Sequence, residues 1–291
     1  MNSRVVTTPD GTNLSVRDSG ESDLTPVVLC DGIGCDGYVW KYIRRDFGGR
    51  FRLIHAHYRG HGLSAVPADA STLSIEQFAR DLWFILDELK VDRAVLWGHS
   101  MGVQVILETA AYAPERVIAL LPMCGAFERP LDTFHGNDYA AQALPYVQSL
   151  LSSRHESIRK FWQKVVPTDF SYWLATATEI NAKMIKREDF IPYLDHLARM
   201  DPLVFTTLLG RVADHSARAF LARLDMPALV FAGSRDHFTP PSLATELSHL
   251  LPDAQLCVVP GGSHTAPLEL PDLVTLRAEA FFEAHQLLTL D

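Results

Sequence analysis

A serine hydroxyl becomes a useful nucleophile when the backbone thrusts it into the open and a nearby base removes its proton. The segment Arg93-Ala94-Val95-Leu96-Trp97-Gly98-His99-Ser100-Met101-Gly102-Val103 reads as a buried strand that runs into Gly-x-Ser-x-Gly and then into a helix. Glycines at 98 and 102 suit a sharp strand-to-helix turn, where side chains flanking the serine would strike neighbouring backbone. Such a turn lifts the Ser100 hydroxyl above the sheet. It also leaves the Met101 amide at the helix N-terminus, partly positive and aimed at any oxyanion forming beside Ser100. The bare pattern arises by chance in roughly one chain in ten of this length, so the flanking strand and helix carry the reading.

With Arg59-Gly60-His61-Gly62-Leu63-Ser64 after the preceding strand, Gly98-His99-Ser100-Met101-Gly102 resembles the α/β-hydrolase superfamily, over almost the whole chain. The resemblance implies an α/β fold: a mostly parallel eight-stranded sheet flanked by helices, with a helical cap inserted. It also implies the chain order Ser, Asp, His for a triad. These motifs are shared by esterases, thioesterases, lactonases, carbon–carbon bond hydrolases and cofactor-free haloperoxidases, so they identify no substrate.

The base is then sought downstream. His264 follows an apolar strand in the loop Pro260-Gly261-Gly262-Ser263, whereas His249 falls inside a helical pattern and His237 directly follows the acid. The acid is Asp236, which ends Leu229-Val230-Phe231-Ala232-Gly233-Ser234-Arg235, again a strand opening into a loop; Asp225 and Asp253 are fallbacks in poorer context. Its task is to hold the His264 tautomer and stabilise the imidazolium. By resemblance, the second oxyanion donor is the backbone amide of Ile33, in the loop after Val27-Val28-Leu29-Cys30.

Two departures from the family stand out. Asp31-Gly32 occupies the place where relatives usually carry His-Gly. An ionised Asp31 would oppose an oxyanion, which leaves three readings: hydrogen-bonded, turned away or specialised. In His55-Ala56-His57-Tyr58-Arg59-Gly60-His61, relatives commonly carry Pro-Asp before the Arg-Gly pair. His55 and His57 share one strand face, but Gly60 stands where a metallohydrolase pattern needs Asp, so these histidines read as hydrogen-bonding groups. No metal and no cofactor are expected.

The elements that must position these groups alternate in βα fashion, the pattern of a mostly parallel sheet. Strands are expected at 27–30, 51–57, 94–97, 117–123, 228–232 and 255–259. Helices are expected from about 39, at 74–90 with Ser74 as cap, at 101–113, after Pro240-Pro241, and from about 271 to 287. Between the halves, strands are nearly absent and helical patterns rich in Phe134, Tyr139, Tyr146, Phe161, Trp162, Tyr172, Trp173, Phe190 and Tyr193 take over. The expected division is therefore a core of 1–125 and 226–291 with a cap or lid of 126–225. Its aromatic residues either line an apolar substrate pocket or pack within the cap.

Composition bounds the rest. A formal net charge of −9 gives no positive field for nucleic acid or anionic membrane. Cys30, Cys35, Cys124 and Cys257 lack the paired spacings of zinc sites or secreted disulfide frameworks, which suits reduced thiols in a cytoplasm. Residues 1–20 are polar and hold the turn Pro9-Asp10-Gly11, so no export signal is expected there, and no apolar run is long enough to span a membrane. The expected partner is a small-molecule substrate; oligomeric state is open. The expected activity is cleavage of a carboxylic ester-type bond, in a substrate with an apolar portion, through an acyl-enzyme on Ser100. Carbon–carbon bond hydrolysis or haloperoxidase chemistry on the same triad stays open, as does a small-molecule receptor on the same scaffold.

Overall fold

The computed structural model describes residues 2–132 and 134–288. In chain order the elements are β1 (Asn2–Thr7), β2 (Asn13–Asp18), β3 (Pro26–Cys30), α1 (Lys41–Phe47), β4 (Arg52–Ala56), α2 (Ile75–Glu88), β5 (Ala94–His99), α3 (Met101–Tyr112) and β6 (Val117–Met123). Five helices follow: α4 (Tyr139–Ser153), α5 (His155–Val165), α6 (Asp169–Thr178), α7 (Arg187–Arg199) and α8 (Pro202–Asp214). The chain then returns through β7 (Ala228–Gly233), α9 (Pro241–Leu250), β8 (Ala254–Val259), α10 (Ala266–Glu269) and α11 (Pro271–Ala284).

The eight strands form one sheet in the order β1-β2-β4-β3-β5-β6-β7-β8. From β4 to β8 every neighbouring pair is parallel, while β2 joins β4 and β1 joins β2 antiparallel. Helices cover both faces, and the strand pleat sends alternate side chains to each. In β5, Ala94 and Leu96 join Phe78, Leu82 and Val103 on one side, while Val95 and Trp97 join Phe47, Phe51 and Phe282 on the other. A strand buried on both faces reads as a continuous apolar run, which is why β5 is legible without alternation. Ser74 caps α2 as expected, its hydroxyl accepting from the Gln77 amide at 3.2 Å.

The hairpin β1–β2 was assigned no position in the sequence. It turns at Asp10-Gly11, and β1 buries only Val6, so an edge strand of this kind carries almost no hydrophobic signal. Among the described residues no helix is long and apolar enough to cross a membrane.

Candidate active site

Parallel strands end together, so the loops that leave their C-terminal ends converge. Ile33 follows β3, Ser100 follows β5, Asp236 follows β7 and His264 follows β8. The fallback acids Asp225 and Asp253 precede β7 and β8 and so lie toward the N-terminal ends of these strands, away from Ser100.

Ser100 sits at φ 57° and ψ −121°, a left-handed backbone position unusual for a side chain with a Cβ. The flanking glycines make this turn feasible. A Cβ on Gly102 would stand 2.1 Å from the Cys30 carbonyl oxygen, and one on Gly98 would stand 2.4 Å from that of Gly102. The turn is therefore closed by backbone on both sides, and Ser100 keeps 8% of its surface exposed.

His264 Nε2 lies 2.9 Å from Ser100 Oγ, and His264 Nδ1 lies 2.9 Å from Asp236 Oδ2. Asp236 is buried, its Oδ1 accepting from the Phe238 and Thr239 amides at 2.9 and 2.8 Å and its Oδ2 from the Thr239 hydroxyl at 2.8 Å. Burial alone would lower the His264 pKa; the Asp236 charge and hydrogen bond outweigh it and leave the imidazole above its ordinary value. Neighbouring His99 is pushed down to about 4 by burial and by the positive field of His264, and its neutral ring donates Nε2–H to the His264 carbonyl at 2.9 Å.

The Ile33 loop runs against Ser100, where a Cβ on Gly32 would come within 2.9 Å of the serine Cβ. Among the described residues, neither the Ile33 amide nor the Met101 amide is paired with an acceptor. Both residues border the space in front of Ser100.

Asp31 is hydrogen-bonded. Its Oδ1 accepts from Trp40 Nε1 at 2.7 Å, and its Oδ2 meets His55 Nε2 at 2.8 Å, with Arg44 Nη2 3.3 Å from the far nitrogen of that ring. Burial alone would raise its pKa, but the charge and hydrogen bond of His55, with His57 and Arg44 behind, hold it at about 2. A carboxyl whose folded value lies below its ordinary 3.8 adds stability above that value and loses it as pH falls toward 2. Asp31→Asn is therefore expected to lower stability at neutral pH by about 2 kcal/mol, the gap to wild type closing between pH 4 and 2. Urea melts at pH 7 and pH 3 check this. The other two histidines of that segment are also hydrogen-bonded: His57 Nδ1 accepts from the Leu63 amide at 3.0 Å, and His61 Nδ1 lies 3.2 Å from the Arg59 carbonyl.

In front of Ser100 and His264 opens an apolar chamber of about 320 Å³. Phe134, Phe190 and Tyr193 line it and Trp162 packs within the helical layer, bonding the Leu197 carbonyl, whereas Tyr139, Tyr146, Phe161 and Trp173 are exposed and fill neither expected role. Three contributors went unrecognised in the sequence. Thr239 holds Asp236, Tyr38 walls the chamber, and buried Glu269 pins the His264 loop by accepting from the Ser263 amide at 2.6 Å. The Glu269 carboxylate also accepts from the Asn181 amide at 2.8 Å, tying that loop to the helical layer above. Thr239 and Glu269 act on neighbours three and six residues away, a turn-type signal around Asp236 and Ser263 that could have been read, whereas Tyr38 and the Asn181 contact of Glu269 are brought close only by the fold.

A family model described as the alpha/beta hydrolase fold matches residues 25–271. The dihydrolipoyllysine-residue acetyltransferase component of the acetoin cleaving system of Pseudomonas putida is 26% identical over 268 residues, which span 90% of this chain but 64% of that relative. A protein of Caulobacter sp. (strain K31) named "Putative carbamate hydrolase RutD" is 26% identical across 91% of this chain and 93% of its own. Among solved structures, the esterase RhEst1 from Rhodococcus sp. ECU1013 superposes with a TM-score of 0.78 at 23% identity, covering 98% of this chain and 99% of that one.

Proposed function

Because the chain belongs to the α/β-hydrolase fold family and is a hydrolase, we propose that it cleaves a carboxylic ester-type bond of a small, partly apolar substrate through an acyl-enzyme on Ser100. The observation that supports this reading is the unbroken run from Ser100 Oγ through His264 to Asp236, with both contacts at 2.9 Å. Ser100 Oγ attacks the carbonyl carbon while His264 Nε2 takes its proton, and the Ile33 and Met101 amides stabilise the oxyanion. Collapse expels the alcohol, protonated by His264. Water then attacks the acyl-enzyme, with His264 again as base, and releases the acid. The relative named as a carbamate hydrolase agrees with acyl transfer to water in general. The chamber's apolar lining favours substrates with a hydrocarbon portion.

A fluorophosphonate probe tests the reading. Stoichiometric labelling of Ser100 in folded protein is expected, slowed by about 100-fold or more in His264→Ala because the base is gone. Folded protein that takes no label would instead favour a small-molecule receptor built on this scaffold.

A further inference from the structure

Besides the chamber, a second and much smaller space opens beside Ser100. It has room of about 10 Å³, enough for one water-sized group, and Ile33, Ser100, Met101 and Thr239 are among the residues that line it. His264 borders the chamber but not this recess. That asymmetry orients a substrate. The leaving oxygen must face His264, which protonates it, so the leaving group lies in the chamber and the acyl substituent points into the recess.

One polar side chain lines the recess from α3, one helical turn beyond Ser100: Gln104, 1% exposed. Its Nε2 donates to the Val212 carbonyl at 3.0 Å, which fixes the amide orientation and leaves Oε1 as the acceptor. Among the described residues Oε1 is buried with no hydrogen-bond partner. A buried acceptor left unpaired is costly, and a bound group that satisfies it is strongly favoured over an apolar isostere.

Resting on the serine-hydrolase reading, we infer that the recess is an acyl subsite in which Gln104 Oε1 selects a small acyl group carrying one hydrogen-bond donor, a hydroxyl next to the scissile carbonyl. Gln104 is thus a specificity-determining residue. A methyl group of the same size fits the space but leaves the acceptor unpaired.

The test compares p-nitrophenyl 2-hydroxypropanoate with p-nitrophenyl 2-methylpropanoate, each kcat/KM divided by the ester's own rate of alkaline hydrolysis to cancel intrinsic reactivity. Wild type is expected to favour the hydroxy ester by about tenfold or more. In Gln104→Leu that preference collapses toward unity, through a loss on the hydroxy ester larger than that on the methyl ester. Equal loss on both esters would mean that Gln104 only braces α8, and would overturn the subsite. So would a wild-type enzyme without preference, a measurement that needs no variant to fold. Failure of wild type to turn over either ester, with Ser100 unlabelled by fluorophosphonate, would instead overturn the serine-hydrolase reading and the subsite with it.

Discussion

Ser100→Ala is expected to cut turnover of a short p-nitrophenyl ester by up to about a millionfold while the protein melts as wild type does. The loss is large because the substitution removes the nucleophile itself, and His264 and Asp236 then have no hydroxyl to activate. What remains is the oxyanion hole and the chamber, which alone retain roughly 10³–10⁴ over the reaction in water. Folding should be spared for specific reasons. The backbone at φ 57° is as strained for alanine as for serine, and the flanking close approaches at Gly98 and Gly102 are untouched. Among the described residues, the only side-chain hydrogen bond lost is the one to His264 Nε2, which borders the chamber and can be satisfied by water there. Steady-state kinetics and a thermal melt on the same preparation check both halves. Unchanged hydrolysis would remove Ser100 from the chemistry, and a collapsed melt would show that the turn depends on the hydroxyl.

The parts of this site that were legible in the sequence share one property: their chemistry is written in adjacent residues. Gly98 and Gly102 betray a turn that excludes any Cβ, and apolar runs ending in Gly233 and in Pro260-Gly261-Gly262 betray strands that open into loops. Asp236 and His264 could therefore be located separately, and the common direction of β5, β7 and β8 brings them together. Asp31 could be found but not interpreted, because Trp40 and His55 reach it from nine and 24 residues away. Gln104 was hidden more completely. In the sequence it is a polar residue in a mostly apolar helix, and only the placement of Val212 on α8 shows which end of its amide is unspent. The hairpin β1–β2 was missed for the opposite reason: it carries none of the triad, β1 buries only Val6, and the buried Leu14 and Val16 of β2 make too short an alternation to stand out.

Asp236→Asn is expected to lower kcat by about 10⁴ and to shift the acid limb of the kcat/KM profile to lower pH. The isosteric change looks mild, but the surroundings dictate how asparagine must sit. The position of Oδ1 receives the Phe238 and Thr239 amides, two donors that demand an oxygen. The asparagine carbonyl therefore takes that place and its NH₂ replaces Oδ2 opposite His264 Nδ1. A donor there forces Nδ1 to accept, so the ring carries its proton on Nε2 and presents N–H, not a lone pair, to Ser100 Oγ. The base is in place with its proton on the wrong nitrogen. The pH effect has an independent origin. Only the neutral ring can act as base, so activity falls as pH drops through the His264 pKa. In wild type that pKa lies above the ordinary value because Asp236 outweighs burial; without the charge, burial prevails and the limb moves down. The two outcomes separate geometry from charge. Should the rate fall while the acid limb keeps its place, Asp236 would be orienting the ring without supplying the field that raises its pKa.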